Sequence, residues 1–171
     1  MTIRLLYKYL CYDAEQLIEQ YSNAQIEDPG KRYEANLRSE DANEGDLIRR
    51  LVLTGCSRVR SLLAKYLLRN AVDATDALGE NASWDYTFKP SVNADGQMLA
   101  DLMHWAVVRY AMSAWCKMQG AYREADKEAE EAELQVTSIL EAVKQLDMPL
   151  KMDKREPVPE DIIYIHYGEK S

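Results

Sequence analysis

Two stretches of the chain repeat apolar residues at the spacing of a single helical face, and only a fold with long packed helices buries both. In the first, Ile48, Leu51, Val52, Gly55, Val59, Leu62, Leu63, Tyr66 and Leu67 recur at helical spacing as far as about Arg69. In the second, Leu99, Leu102, Met103, Ala106, Val107, Tyr110, Ala111, Ala114, Trp115 and Met118 cover a face so wide that this helix, from about Gln97 to Met118, is expected at the centre of its bundle. Asn43 is the expected cap of the first helix, with Asp46 three residues on as a weak relative of the capping box. Gly55 costs that helix about 1 kcal/mol relative to alanine. A close helix crossing or a local bend would account for its presence there.

A third helix is expected from near Tyr122, beyond Gly120. Its first part is charged (Glu124, Asp126, Lys127, Glu128, Glu130, Glu131, Glu133), and its later part carries an apolar seam of Leu134, Val136, Ile139, Leu140, Val143 and Leu146. This order predicts a helix that projects from the bundle before it packs. The alternative is one unbroken rod running from the second helix through Gly120. Met148-Pro149 ends the pattern, because proline lacks the amide donor and disfavours helical geometry in the residue before it.

The two ends read differently. Ile3 to Tyr9 alternates imperfectly and suits either strand or helix, while Asp13 is placed to cap a short helix whose inner side is Leu17, Ile18 and Tyr21. Ser22 to Glu44, with Asp28-Pro29-Gly30, reads as a long irregular connection. A second connection, Asn70 to Asp95, holds the aromatic, alternating piece Ser83-Trp84-Asp85-Tyr86-Thr87-Phe88, which suits a short strand or an ordered loop docked on the helices. After Pro157 and Pro159 the chain closes with Ile162-Ile163-Tyr164-Ile165-His166-Tyr167, a β-prone run. An isolated strand leaves its backbone groups unpaired, so this run needs a partner: the N-terminal segment or a neighbouring subunit.

The expected fold class is therefore mainly α, a small bundle of about three long helices with short β-prone terminal segments. It divides into an N-terminal segment with its connection (1–44), a helical core (45–147) and an extended C-terminal arm (148–171).

At 171 residues the chain is the size of one ordinary domain, and no stretch approaches the roughly 20 uninterrupted apolar residues of a membrane-spanning helix. Basic residues within its opening apolar run argue against a signal peptide. Cys11, Cys56 and Cys116 are odd in number and far apart, which suits reduced core thiols. A net charge of −8 argues against a protein whose main work is gripping nucleic acid, although Arg49, Arg50, Arg58, Arg60, Lys65 and Arg69 form a local basic run.

No sequence signature of a zinc hydrolase, thiol pair, phosphate loop, serine hydrolase or dinucleotide site occurs. Catalytic, cofactor and metal sites are accordingly expected to be absent. The one acid/base arrangement on offer is His104 with Asp101 one turn away, with Tyr110 further along, and a simple surface or boundary hydrogen bond explains the pair better. The acidic run Glu124 to Glu133 sits on one helix among Arg123 and Lys127, so a solvated or partner-facing face explains it better than a cation site. Eleven tyrosines, with Tyr7, Tyr9, Tyr12, Tyr164 and Tyr167 near the ends, suit either an interface or the lining of a small terminal sheet.

The segment Glu44-Gly45-Asp46-Leu47-Ile48-Arg49-Arg50-Leu51-Val52 leads into a helix and is followed by the helix Leu99-Ala100-Asp101-Leu102-Met103-His104-Trp105-Ala106-Val107-Val108-Arg109-Tyr110. Together they resemble the head-to-tail connector (adaptor, or neck ring) proteins of tailed bacteriophages. The resemblance covers roughly Asp46 to Leu146 and rests on helix order and residue texture. It implies a structural virion protein of the neck, made in the host cytoplasm, with no enzymatic activity and no cofactor. It implies assembly as a homo-oligomeric ring bound to the portal protein and to other neck or tail proteins, with no membrane contact and DNA contact confined to the channel. The first forty or so residues and the Ser83 to Phe88 piece go beyond the usual short form of that family. A ring subunit needs two complementary side faces. The candidates are Arg58 and Arg60 on one side and Glu124, Glu128 and Glu131 on the other, with Ile163, Tyr164, Ile165 and Tyr167 as strand contacts. The other functions considered are a cytoplasmic regulatory module that covers a basic partner with its acidic helix, and an enzyme built around His104, Asp101 and Tyr110.

Overall fold

The computed structural model describes residues 1–26, 42–68, 82–92, 94–144 and 162–164. Along the chain these form β1 (Thr2–Leu6), α1 (Tyr7–Ile26), α2 (Ala42–Leu63), β2 (Ser83–Thr87), α3 (Gly96–Met118), α4 (Tyr122–Lys144) and β3 (Ile162–Tyr164). The protein is mainly helical, with four helices among the described residues, in rough agreement with the expected bundle of about three long ones. Its sheet has the order β2-β1-β3, with β1 antiparallel to β2 and parallel to β3.

The opening residues, which suited either strand or helix, are both in succession. Ile3 and Leu5 are buried while Thr2, Arg4 and Leu6 are half-buried, a period of two that fits a sheet with one face on the core. From Tyr7 the buried positions become Leu10, Ala14 and Ile18, one helical face, and the strand runs directly into α1. Asp13 is not a cap, as the sequence suggested, but lies inside this longer helix. The expected connection from Ser22 to Glu44 is shorter at both ends, since α1 continues to Ile26 and α2 begins at Ala42, just ahead of Asn43.

Across the β1–β2 pair the buried partners are Ile3 with Tyr86 and Leu5 with Trp84, whereas Thr2 faces Thr87 and Arg4 faces Asp85 on the other side. The outer pairs bond through side chains: the threonine hydroxyls lie 3.2 Å apart, and the Arg4 guanidinium grips Asp85 with Nε at 2.9 Å and Nη2 at 2.7 Å. The α2 helix stops at Leu63, short of the expected Arg69. Tyr66 to Leu68 turn and run beside β2 instead, with Leu68 N–H donating to Thr87 O at 2.8 Å and Lys89 N–H to Tyr66 O at 2.9 Å. Leu67 is still buried, so the apolar rhythm marked the burial correctly but not the backbone that achieves it.

The α3 helix starts at the cap Asp95, whose carboxylate accepts from the N–H groups of Gln97 (2.9 Å) and Met98 (3.3 Å). It is central, as its wide apolar face predicted, packing against α1, α2, α4 and β1. Its C-terminus is a Schellman turn: Ala121 N–H donates to Cys116 O at 2.9 Å and Gly120 N–H to Lys117 O at 3.1 Å, with Gly120 at φ 75°. This turn overturns both expectations for the third helix, because α3 and α4 are neither one rod nor a bundle with a projecting arm. They form a hairpin whose packing is the most extensive in the molecule. Its seam on α4 is Ala125, Ala132, Val136, Ile139 and Val143. Alanines in the charged first half let α4 lie close to α3 from its first turn, and the buried Ser113 hydroxyl donates to Ala125 O at 2.8 Å.

Gly55 makes the close crossing of α2 over α3: a Cβ at this position would lie 2.7 Å from Val107 O. β1, β2 and the four helices contribute to one hydrophobic core, so the N-terminal segment is integrated with the helices. Three expected core residues instead face outward, Leu62 on α2, Met118 at the end of α3 and Leu134 on α4. No helix among the described residues is long and apolar enough to cross a membrane.

Candidate functional site

The α3 helix brings His104 to the inner side of the bundle, where α1 lies against it. The imidazole is 2% exposed, and its Nε2 is 2.7 Å from Asp13 Oδ2. With a carboxylate as acceptor, Nε2 carries the proton and donates. Burial holds the His104 pKa below the usual histidine range, while the Asp13 hydrogen bond and the charges of Asp13 and Asp101 act against that shift. The edge of the His104–Trp105 pair is T-shaped, with ring centroids 5.5 Å apart.

The expected His104–Asp101 pairing is replaced by this contact. Asp101 is exposed and accepts from Gln97 Nε2 at 3.1 Å along its own helix. Tyr110, the third residue of that constellation, lies under the Arg58 guanidinium, 4.3 Å from the ring centroid. A histidine this deeply buried, held on one ring nitrogen by a carboxylate, ties α1 to α3. Nothing in the sequence near His104 signals Asp13, which lies 91 residues away.

The charged candidates fall into three environments. Arg58 is exposed, with Nη2 3.3 Å from Glu133 Oε1 on α4, so the arginine-bearing helix and the acidic helix meet on one side of the subunit at this point. Arg60, two residues on, is half-buried and its charge bears on Tyr86 of β2. Residues two apart on a helix point to opposite sides, so Arg58 and Arg60 do not form one patch. Glu124, Glu128 and Glu131 share one stripe of α4 and are all half-buried along the flank of the hairpin. Glu128 is engaged within the subunit, with Oε2 2.6 Å from Arg109 Nη1. The carboxylates facing water on α4 are instead Asp126, Glu130, Glu133 and Glu141.

Among the strand candidates, Ile163 and Tyr164 lie on β3 opposite Ile3 and Arg4 of β1, while Ile165 and Tyr167 fall outside the described residues. The N-terminal tyrosines divide between the two roles considered for them, since Tyr7 is buried in the core and Tyr12 is 59% exposed. The exposed apolar residues that sequence reasoning missed include Met118 and Tyr122, 58% and 67% exposed on either side of Gly120 at the hairpin turn. The signal for them was Gly120 itself, since residues beside a helix-ending turn have fewer neighbours to cover them.

Cys56 and Cys116 are buried and Cys11 is half-buried. Burial raises all three thiols, Cys11 to about 11 and Cys116 to about 12, which keeps them protonated and poorly nucleophilic. No group of three or more His, Cys, Asp or Glu side chains among the described residues is placed to hold a metal ion. Comparison with protein-family models, with curated proteins and with solved structures gave no match to this chain.

Proposed function

We propose that the chain is a structural subunit of a tailed-phage neck, assembled as a homo-oligomeric ring between the portal and the tail. The observation that carries this reading is the sheet order β2-β1-β3: among the described residues β3 stands at the edge of the sheet, a position from which strands pair with another copy. The resemblance of α2 and α3 to connector proteins points the same way. So do the exposed apolar residues Met118 and Tyr122, which suit contact with another protein. The net charge of −8 suits protein contacts, with DNA touched only inside the channel.

Quantitative mass spectrometry of purified particles of the source phage or induced prophage tests this. A copy number near that of the portal protein is expected, and absence from the particles overturns the reading. The water-facing carboxylates Asp126, Glu130 and Glu133 on α4 favour a second reading, a regulatory protein that binds one basic partner. It requires one-to-one stoichiometry in place of a closed ring.

A further inference from the structure

We infer that the tip of the α3–α4 hairpin of one copy docks on an uncovered strip of α3 in the next copy. This deepens the ring reading and rests on it for closure of the contact into a ring.

The strip is the part of α3 that the core leaves bare. Met98, Leu102 and Trp105 follow one another at helical spacing along one side of the helix, with Asp101 in the same row. Met98 is 42% exposed and Trp105 36%, and Leu102 is half-buried. Next to Trp105, His104 turns to Asp13 on α1, whereas Arg109, one turn beyond Trp105, reaches Glu128 on α4. The strip therefore lies between α1 and α4, an apolar floor edged by carboxylates. Asp101 stands exposed within it, Asp13 borders it on α1, and Glu131, on the same flank of α4 as Glu128, borders it on the other side. Arg109, the cation at its end, is already held by Glu128 at 2.6 Å.

The hairpin tip has the complementary character. Met118 and Tyr122 are two large apolar side chains on either side of Gly120, and the exposed Lys117 and Arg123 flank them. An apolar tip with a positive border matches an apolar strip with a negative border, so the second copy supplies both the apolar surface and the charges that fix its register. The tip cannot reach its own strip, because Met98 and Met118 stand about 30 Å apart along the axis of one continuous helix. Each copy thus offers one tip and one strip, a head-to-tail contact of the kind that closes into a ring.

The test uses two forms of the full chain. Met118→Asp with Tyr122→Asp breaks the tip, and Met98→Gln with Asp101→Lys breaks the strip. With helical circular dichroism retained, light scattering is expected to give an oligomer for the parent chain and single chains for each form alone. Mixing the two forms is expected to give a two-chain species, since one intact tip then meets one intact strip and nothing further can add. An oligomer that survives in either form, a mixture that stays single-chain, or a parent chain that is monomeric at its highest soluble concentration overturns the inference. Charge swaps, which keep the apolar side chains in place, decide the matter if a form fails to fold. Lys117→Glu with Arg123→Glu, and Asp101→Lys with Glu131→Lys, should each weaken the oligomer, and all four in one chain should restore it; no restoration overturns the pairing of tip with strip. A closed oligomer that neither form breaks removes this contact and leaves the ring, whereas a two-copy parent that both forms break supports the contact and removes the ring.

Discussion

His104 on α3 and Asp13 on α1, 91 residues apart in sequence, meet Nε2 to Oδ2 at 2.7 Å, and this buried contact binds the N-terminal helix to the centre of the bundle. Replacing Asp13 with alanine leaves an imidazole donor buried without this acceptor, at a cost of about 1–3 kcal/mol. Urea unfolding should show that loss, and Asp13→Asn, which keeps an acceptor oxygen, should lose less. Equal losses for the two variants would mean that the carboxylate is not acting as the acceptor.

The burial of His104 makes stability depend on pH. Burial lowers the His104 pKa in the folded protein below the unfolded value of about 6.5, so at pH values beneath 6.5 the unfolded chain binds more protons than the folded one. The contribution of His104 is complete above that pH and is lost as pH falls toward the folded pKa. Unfolding midpoints measured downward from pH 8 should therefore drop below about pH 6.5, and His104→Gln should flatten that part of the curve.

The two glycines that shape the helices should fail for different reasons. At Gly55 an added methyl meets Val107 O at 2.7 Å, which pushes α2 off α3. Overpacking of this kind costs about 1–3 kcal/mol and outweighs the gain of about 1 kcal/mol in helix propensity. At Gly120 there is open space, but φ is 75°, so Gly120→Ala carries only the backbone cost of about 1–2 kcal/mol. Asparagine, which tolerates that conformation, should recover part of the loss at Gly120 and none at Gly55. Thermal unfolding of the four variants checks the pattern.

Tyr86, fully buried on β2, donates its hydroxyl to Cys56 O on α2 at 3.0 Å. Tyr86→Phe should cost about 1 kcal/mol, the net worth of one hydrogen bond. Tyr86→Ala should cost about 3–5 kcal/mol through the cavity it leaves. A phenylalanine variant as unstable as the alanine variant would show that the bond, and not the ring, secures the sheet to α2.

Two ion pairs tie α4 to the rest of the subunit in different surroundings. Arg109–Glu128 is partly buried, with side chains 31% and 15% exposed, whereas Arg58–Glu133 stands in solvent at 51% and 61%. Double-mutant cycles should give a coupling of no more than about 0.5 kcal/mol for the exposed pair. The coupling for Arg109–Glu128 should be larger and should survive higher salt, because its charges are screened less.

How far the chain could be read without its structure differs from element to element. The α2 and α3 helices were legible because their apolar positions repeat over many turns, and Gly55 signalled a close crossing or a bend, of which the structure shows the crossing. Gly120 marked the end of α3, but the hairpin it creates was not evident, because the seam of α4 begins with alanines hidden among its carboxylates. The alternation of Ser83 to Phe88 suited a strand or a docked loop, and pairing with β1 makes it a strand. The switch from strand to helix at Tyr7 was hidden within a single apolar run. Among the candidate site residues, helical spacing separates Arg58 from Arg60 and groups Glu124 with Glu128 and Glu131. It does not show that Glu128 is already held by Arg109.

The sequence by itself determined a mainly helical protein with β-prone ends, since local periodicity and turn chemistry act over a few residues and leave their mark there. Tertiary structure alone decided the partners: Asp13 for His104, Asp85 for Arg4, Val107 for Gly55 and β1 for β3. These contacts depend on how elements distant in sequence are brought together, which is set by burying all their apolar faces at once and not by any single segment.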